Sequence, residues 1–259
     1  MTSQLIYYFL KLSDIKKRKG KAKIAFMKII RTDKELETPL VDQTLRKQGH
    51  HLVLLPDGIS ESDLCREIAD ADILLMCYTP ITEKVIRAAK RLRAIIKYGV
   101  GIDAIDIPAA KSQGVTVVNI PEYAEETVAE GAFSMMIALA KRLPAIQGQM
   151  RIKGWAWPER AWIGSDLAEK TIGIVGCGRI GKSMARMARF GFRMKVLGFD
   201  PHKNEEELSE VGIRKIETQH ELLSVSDFVS IHAVLNEETF HLIGNRELGI
   251  MKSTSFLIN

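Results

Sequence analysis

From Lys23 onward, short apolar runs alternate with longer polar segments of helical spacing, the pattern of parallel sheets joined by crossover helices. KIAFMKI (23–29), HLVLL (51–55), DILLMC (72–77), AIIKYG (94–99) and VTVVN (115–119) predict one set of strands. TIGIVG (171–176), KVLGFD (195–200), FVSIHA (228–233) and FLIN (256–259) predict a second, with helices over 179–190 and near 217–224. The second set is almost wholly apolar, as strands are when helices cover both faces of a sheet. Between the sets, residues 125–143 hold no proline and place Val128, Ala132, Phe133, Met136, Ile137, Ala140 and Leu143 at helical spacing, which predicts one long helix. Periodicity then lapses through Gly154, Trp155, Trp157, Trp162 and Gly164. The expected architecture is α/β with two doubly wound parallel-sheet domains. Residues 23–120 form the first, and residues 121–259 form the second, long helix included, which stops on a strand and is expected to be incomplete.

Composition changes this picture little: 259 residues, 46% hydrophobic and 27% charged, suit two globular domains. The formal charge of +5 would point to nucleic acid if it were spread over the fold. It is not. Lys11, Lys16, Lys17, Arg18, Lys19, Lys21 and Lys23 face only Asp14, so the basic excess lies ahead of the first strand and the remainder is close to neutral. Residues 1–22 read as a disordered basic tail or a misassigned start, with a targeting segment or a polyanion-binding arm as alternatives. No run approaches the roughly 20 apolar residues of a membrane span, so a cytoplasmic protein without a membrane or nucleic-acid partner is expected. Cys65, Cys77 and Cys177 lack metal-ligand spacing, and the histidines form no ligand-like group.

The sharpest chemistry is Gly176-Cys177-Gly178-Arg179-Ile180-Gly181. A lone GxGxxG is a weak signal, and glycines that merely turn the chain are the plain alternative. Here the motif follows an apolar strand and opens a helix with Ile180, Met184, Met187 and Ala188 on one face. That context suits a dinucleotide site, with the pyrophosphate at the helix N-terminus. Asp200, at the end of the next predicted strand, stands where such a fold presents an acid to the adenosine ribose hydroxyls. It should select NAD over NADP, since like charges a few ångströms apart repel by about 4 kcal/mol at an effective dielectric near 20. His202 and Lys203 could soften that preference. In the first domain, Gly99 and Gly101 flank Val100 after a strand, an arrangement suited to exposed amides that bind an anion, or to a simple turn. Asp103 and Asp106 invite a reading as paired acids, but capping of the next helix is simpler.

Several segments together resemble the D-isomer-specific 2-hydroxyacid dehydrogenases, a family that includes phosphoglycerate dehydrogenase and glyoxylate and hydroxypyruvate reductases. They are KYGVGIDAID (97–106), ETVAEGAFSMMIALAKR (126–142), DLAEKTIGIVGCGRIG (166–181), GFDPH (198–202) and SIHAVLNEETFHLIG (230–244). The resemblance implies a flavodoxin-like substrate domain, a Rossmann NAD-binding domain, a small 2-oxo or 2-hydroxy acid as substrate, and a homodimer built through the long helix. It places the substrate carboxylate on the amides of Val100-Gly101, and it places Val128, His232 and Ala233 along the cofactor near the nicotinamide. The sequence departs from the family pattern at Val234 and Asn236, where proline and often threonine stand. The family's chemistry needs an arginine, a histidine and a carboxylate, and none has a counterpart here, since Phe256-Leu257-Ile258-Asn259 matches only the opening of the arginine motif. The 259-residue chain is therefore expected to be catalytically silent by itself. Formate or phosphite oxidation on the same scaffold is a neighbouring alternative. A non-catalytic NAD-binding regulator of the corepressor type is the rival from another class.

Overall fold

The computed structural model describes residues 26–155 and 157–259. The basic segment 1–22 and the start of the first predicted strand lie outside them. The chain divides into two units, one running to Tyr123 and the other starting at Ala124.

The first unit alternates strands β1 (Lys28–Arg31), β2 (His51–Leu54), β3 (Ile73–Met76), β4 (Ala94–Lys97) and β5 (Thr116–Val118) with helices α1 (Pro39–Lys47), α2 (Glu61–Glu67), α3 (Glu83–Ala88) and α4 (Ile107–Ser112). All strand pairs are parallel, in the order β2-β1-β3-β4-β5. Both faces are covered. One core gathers Ile30, Leu74, Met76 and Ile95, and the other gathers Ile29, Ile73, Leu75 and Ile96. Alternate residues of one strand thus feed opposite cores, and each fully buried side chain of this size contributes roughly 1.5–3 kcal/mol.

The second unit opens with α5 (Glu125–Ala140) and α6 (Leu143–Lys153). There follow β6 (Thr171–Val175), α7 (Arg179–Arg186), β7 (Lys195–Phe199), α8 (Glu205–Ser209), β8 (Arg214–Lys215), α9 (Gln219–Val225), β9 (Phe228–Ile231), α10 (Asn245–Ile250) and β10 (Phe256–Ile258). A single π-type turn, Met187–Gly191, carries α7 onward. The sheet is again all parallel, ordered β10-β9-β6-β7-β8. The two parallel-sheet α/β units agree with the architecture expected from the apolar runs.

Two elements differ from the sequence reading. Among the described residues the first strand begins at Lys28 and continues through Arg31, two residues past the end of the predicted run 23–29. Phe26, inside the apolar run, is 70% exposed, whereas Arg31 is buried because its guanidinium pairs with Asp42 at 2.9 Å. The predicted long helix breaks as well. α5 ends at Ala140, Arg142 takes a left-handed conformation (φ 54°), and α6 starts with Pro144 in its first turn. Ser165 N–H donates to Ala140 O at 2.9 Å, so a returning segment takes up the carbonyl of the last helical residue. Beyond that point the apolar spacing continues, but Leu143 is 49% exposed. The short elements β8, α8 and α10 carry too few periodic residues to be predicted.

Each sheet is latched at its amino end by an aspartate just ahead of one of its central strands. Asp72 precedes β3 and accepts from Lys28 N–H, at the start of β1, at 2.9 Å. Asp227 precedes β9 and accepts from Thr171 N–H, at the start of β6, also at 2.9 Å. The second oxygen of each meets a cation at 3.0 Å, Arg91 in the first case and Lys252 in the second.

Candidate functional site

The glycine-rich turn leaves β6 at Val175. Gly176 has φ +88°, a conformation side chains disfavour. A Cβ there would lie 2.6 Å from Ala233 N and 2.7 Å from His232 C, so the turn packs backbone to backbone against the segment after β9. Gly181 is equally constrained, because a Cβ would strike Gly176 O. Gly178 is different: it is exposed, is the N-cap of α7, and has nothing within 4 Å of its Cβ position. No side chain caps α7. The open space beside Gly178 therefore faces a helix N-terminus with amides to offer, which fits a pyrophosphate.

Asp200, at the carboxyl end of β7, is joined to this turn. Its Oδ2 accepts from Cys177 N–H at 2.9 Å and its Oδ1 accepts from His202 N–H at 2.9 Å. A carboxylate has about four lone-pair positions, so the pair of ribose hydroxyls can still be accommodated. Cys177 itself is buried, and burial, with Asp200's charge adding to it, pushes its thiol up to about 12. It is a packing residue and not a nucleophile.

Arg179 and Ile180 begin α7. Ile180 is half-buried against the core, while the Arg179 side chain is exposed, with Nε 4.0 Å from Glu125. Helix α5 is tied to α7 more firmly by Glu126, which accepts from Ser183 Oγ at 2.5 Å and pairs with Arg186 at 2.6 Å. Val128, two residues beyond Glu126, stands exposed on α5. The sequence reading misses these carboxylates, since a partner on another helix leaves no periodic trace.

His232 follows β9, and its Nε2 lies 2.9 Å from Ser230 Oγ. Burial lowers its pKa from 6.5 to about 4, so the imidazole is neutral at pH 7. Between these values the folded state binds fewer protons than the unfolded chain. Stability should therefore fall as pH drops from 7 through 6.5 towards 4, by about 3 kcal/mol at 1.36 kcal/mol per pKa unit. Unfolding curves of the wild type and His232→Asn at pH 7 and pH 4.5 test this. The wild type should lose more stability on acidification than the variant, and parallel losses would reject a buried neutral imidazole.

In the first unit, Gly99, Val100 and Gly101 follow β4. Neither glycine has positive φ, so the turn does not depend on left-handed backbone. Val100 and Gly101 are exposed, and among the described residues no acceptor for their N–H groups is found. Asn119 donates to Val100 O at 2.7 Å and steadies the loop. Asp106 caps α4 through Ala109 N–H at 2.8 Å, while Asp103 folds back beside Gly101.

A second polar centre in this unit goes unannounced in the sequence. Asp33, buried and left-handed at φ 55°, accepts from Cys77 N–H (2.8 Å), Tyr78 N–H (3.2 Å), Thr79 N–H (3.2 Å), Thr79 Oγ1 (3.0 Å) and Thr32 Oγ1 (2.7 Å). Burial alone would raise its pKa, but the Cys77 amide, the two hydroxyls and the Tyr78 amide outweigh it and hold the carboxyl below the ordinary range. It fixes the loop at the carboxyl end of β3, where Tyr78 is exposed and its ring centroid lies 5.2 Å from the Lys97 ammonium.

Residues 133–259 match the family model described as D-isomer specific 2-hydroxyacid dehydrogenase, NAD binding domain. A Staphylococcus saprophyticus protein named as a 2-hydroxyacid dehydrogenase is 34% identical over 83% of this chain and 68% of its own length. The chain belongs to the D-2-hydroxyacid dehydrogenase family. A glyoxylate reductase from Korarchaeum cryptofilum is 38% identical over 77% of the chain, which spans 60% of that family member's length. Among solved structures, D-lactate dehydrogenase from Aquifex aeolicus, complexed with NAD and lactic acid, superposes with a TM-score of 0.76 at 29% identity, covering 88% of this chain and 67% of that one. The cofactor of this dehydrogenase family's second domain is NAD, and the glycine turn with Asp200 has the chemistry to hold it. Among the described residues no helix is long and apolar enough to cross a membrane, and no group of three metal-ligating side chains occurs.

Proposed function

We propose that the whole protein interconverts a small 2-oxo acid and its D-2-hydroxy acid, with NAD held on the unit that starts at Ala124. The observation that carries the reading is the glycine turn braced by Asp200, with open space at Gly178 alone of the three glycines. Gly176, Gly178 and Gly181, with Arg179 and Ile180 of the first helical turn, cradle the pyrophosphate. Asp200 takes the ribose hydroxyls, and Val128, His232 and Ala233 line the nicotinamide end. When bound, NAD supplies the hydride chemistry. The N–H groups of Val100 and Gly101 take the substrate carboxylate. Glyoxylate and lactate, in the names of two relatives, indicate the size of acid in view.

The homodimer implied by the resemblance belongs to the same proposal. Leu143, Ile152, Trp155, Trp157 and Ile163 are all exposed along and after α6, and apolar surface of this extent suits an assembly face. The test is a titration of NADH and NADPH, by quenching of tryptophan fluorescence, on wild type and Asp200→Asn, with the mass of the same sample determined by sedimentation. The wild type should bind NADH saturably and at least tenfold tighter than NADPH, and the variant should lose most of that gap. Equal affinities in the wild type would remove the role of Asp200, and a single-chain mass would remove the dimer.

A further inference from the structure

Asp200 is not the whole of the charge that an adenosine ribose would meet. The chain folds tightly after β7, with Lys203 N–H pointing to Asp200 O at 3.4 Å, which brings the main chain of Lys203 back to that of Asp200. A 2′-phosphate arriving here would need a cation to offset Asp200, and Lys203 is the cation nearest in sequence. It is already engaged: its Nζ lies 3.0 Å from Glu207 Oε1, one helical turn on. Glu207 is itself fixed. It forms a capping box with Asn204, whose Oδ1 accepts from Glu207 N–H at 2.8 Å while the Glu207 carboxylate reaches back to Asn204 N–H. The pair is less than half exposed on both sides, 31% for Lys203 and 40% for Glu207. Lys203, Asn204 and Lys182 together hold the Glu207 carboxyl below its ordinary range, Lys203 first among them.

We infer that Glu207 is a cofactor-selecting residue that works through Lys203, tethering an ammonium that would otherwise receive a 2′-phosphate and so sharpening the preference for NAD. This rests on the placement of the ribose at Asp200 proposed above. Glu207 touches no cofactor atom; it is a positioning residue whose effect appears only in the comparison of the two dinucleotides. An anion that binds Lys203 must first displace a carboxylate held by two hydrogen-bonding partners, and it meets Glu207's own charge as well as that of Asp200.

Glu207→Gln is the informative change, because glutamine can still close the capping box while losing the charge that holds Lys203. Dissociation constants for NADH and NADPH would be measured for wild type, Glu207→Gln, and Glu207→Gln with Lys203→Met, alongside a melting curve for each. The single variant should bind NADH within twofold of wild type and NADPH threefold to fivefold tighter, about 0.7 to 1 kcal/mol at 1.4 kcal/mol per decade, the size of a partly exposed ion pair. Removal of Lys203 should cancel the gain. An unchanged NADPH to NADH ratio in Glu207→Gln, or a gain that survives the loss of Lys203, overturns the inference while leaving the NAD site in place. Failure of the wild type to bind NADH overturns the site, and this inference with it.

Discussion

Alanine at Gly176 is expected to abolish measurable NADH binding and to lower stability by about 3 kcal/mol. Two costs combine. The left-handed backbone at φ +88° disfavours any side chain by roughly 1–2 kcal/mol, and the new methyl would press on the backbone of His232 and Ala233 at 2.6–2.7 Å, where overpacking costs typically 1–3 kcal/mol. Neither neighbour can rotate away, because both contacts are main-chain atoms next to a sheet strand. The turn would have to move, and with it the Cys177 amide that Asp200 holds. Gly178→Ala is the matched control. Its methyl enters open space at φ −71°, so the melting temperature should hold while NADH affinity falls. A Gly176→Ala protein with wild-type melting behaviour would contradict the close backbone approach. Loss of stability in Gly178→Ala would mean that its open space is filled by protein and not by ligand.

The second large effect is expected at Asp33. Replacement by alanine leaves the N–H groups of Cys77, Tyr78 and Thr79 without their shared acceptor, and removes a residue type that tolerates left-handed backbone. Stranded buried donors cost about 1–3 kcal/mol each before water enters, so a loss of at least about 3 kcal/mol is expected from urea unfolding at pH 7. The sign of its pH dependence follows from the depressed carboxyl. The stabilisation is complete above the ordinary carboxylate range and is lost as pH falls through the folded-state value, so wild type and Asp33→Ala should converge on acidification. A difference under about 1 kcal/mol at pH 7 would show that the loop after β3 is held by packing instead.

These two positions differ in how far the amino-acid sequence alone discloses them. Gly176 is legible because its role depends on neighbours along the chain: an apolar strand before it, a helix after it, and an acid at the end of the next strand. Asp200 is legible for the same reason. Asp33 is not, because apart from the adjacent Thr32 hydroxyl its partners lie more than forty residues away and are mostly backbone amides, which carry no residue identity. Arg31 misleads in the other direction. A charged residue marks the end of an apolar run, yet the strand continues through it because Asp42 supplies its counter-charge in the interior. The break after Ala140 is hidden by apolar spacing that persists across it, the deciding contact coming from Ser165 on a returning segment.

The paired latches at Asp72 and Asp227 bear on how the sheets come apart. The first amide of a strand is ordinarily where exchange with solvent is fastest, since little must open to expose it. Here the Lys28 and Thr171 amides are each closed by a carboxylate that is itself held by a cation from the approach to the neighbouring strand, β4 or β10. To release one strand end, a second strand's approach must loosen with it. Fraying is thereby converted from a local event into one shared between strands, and the central pairs β1–β3 and β6–β9 become the units that open last.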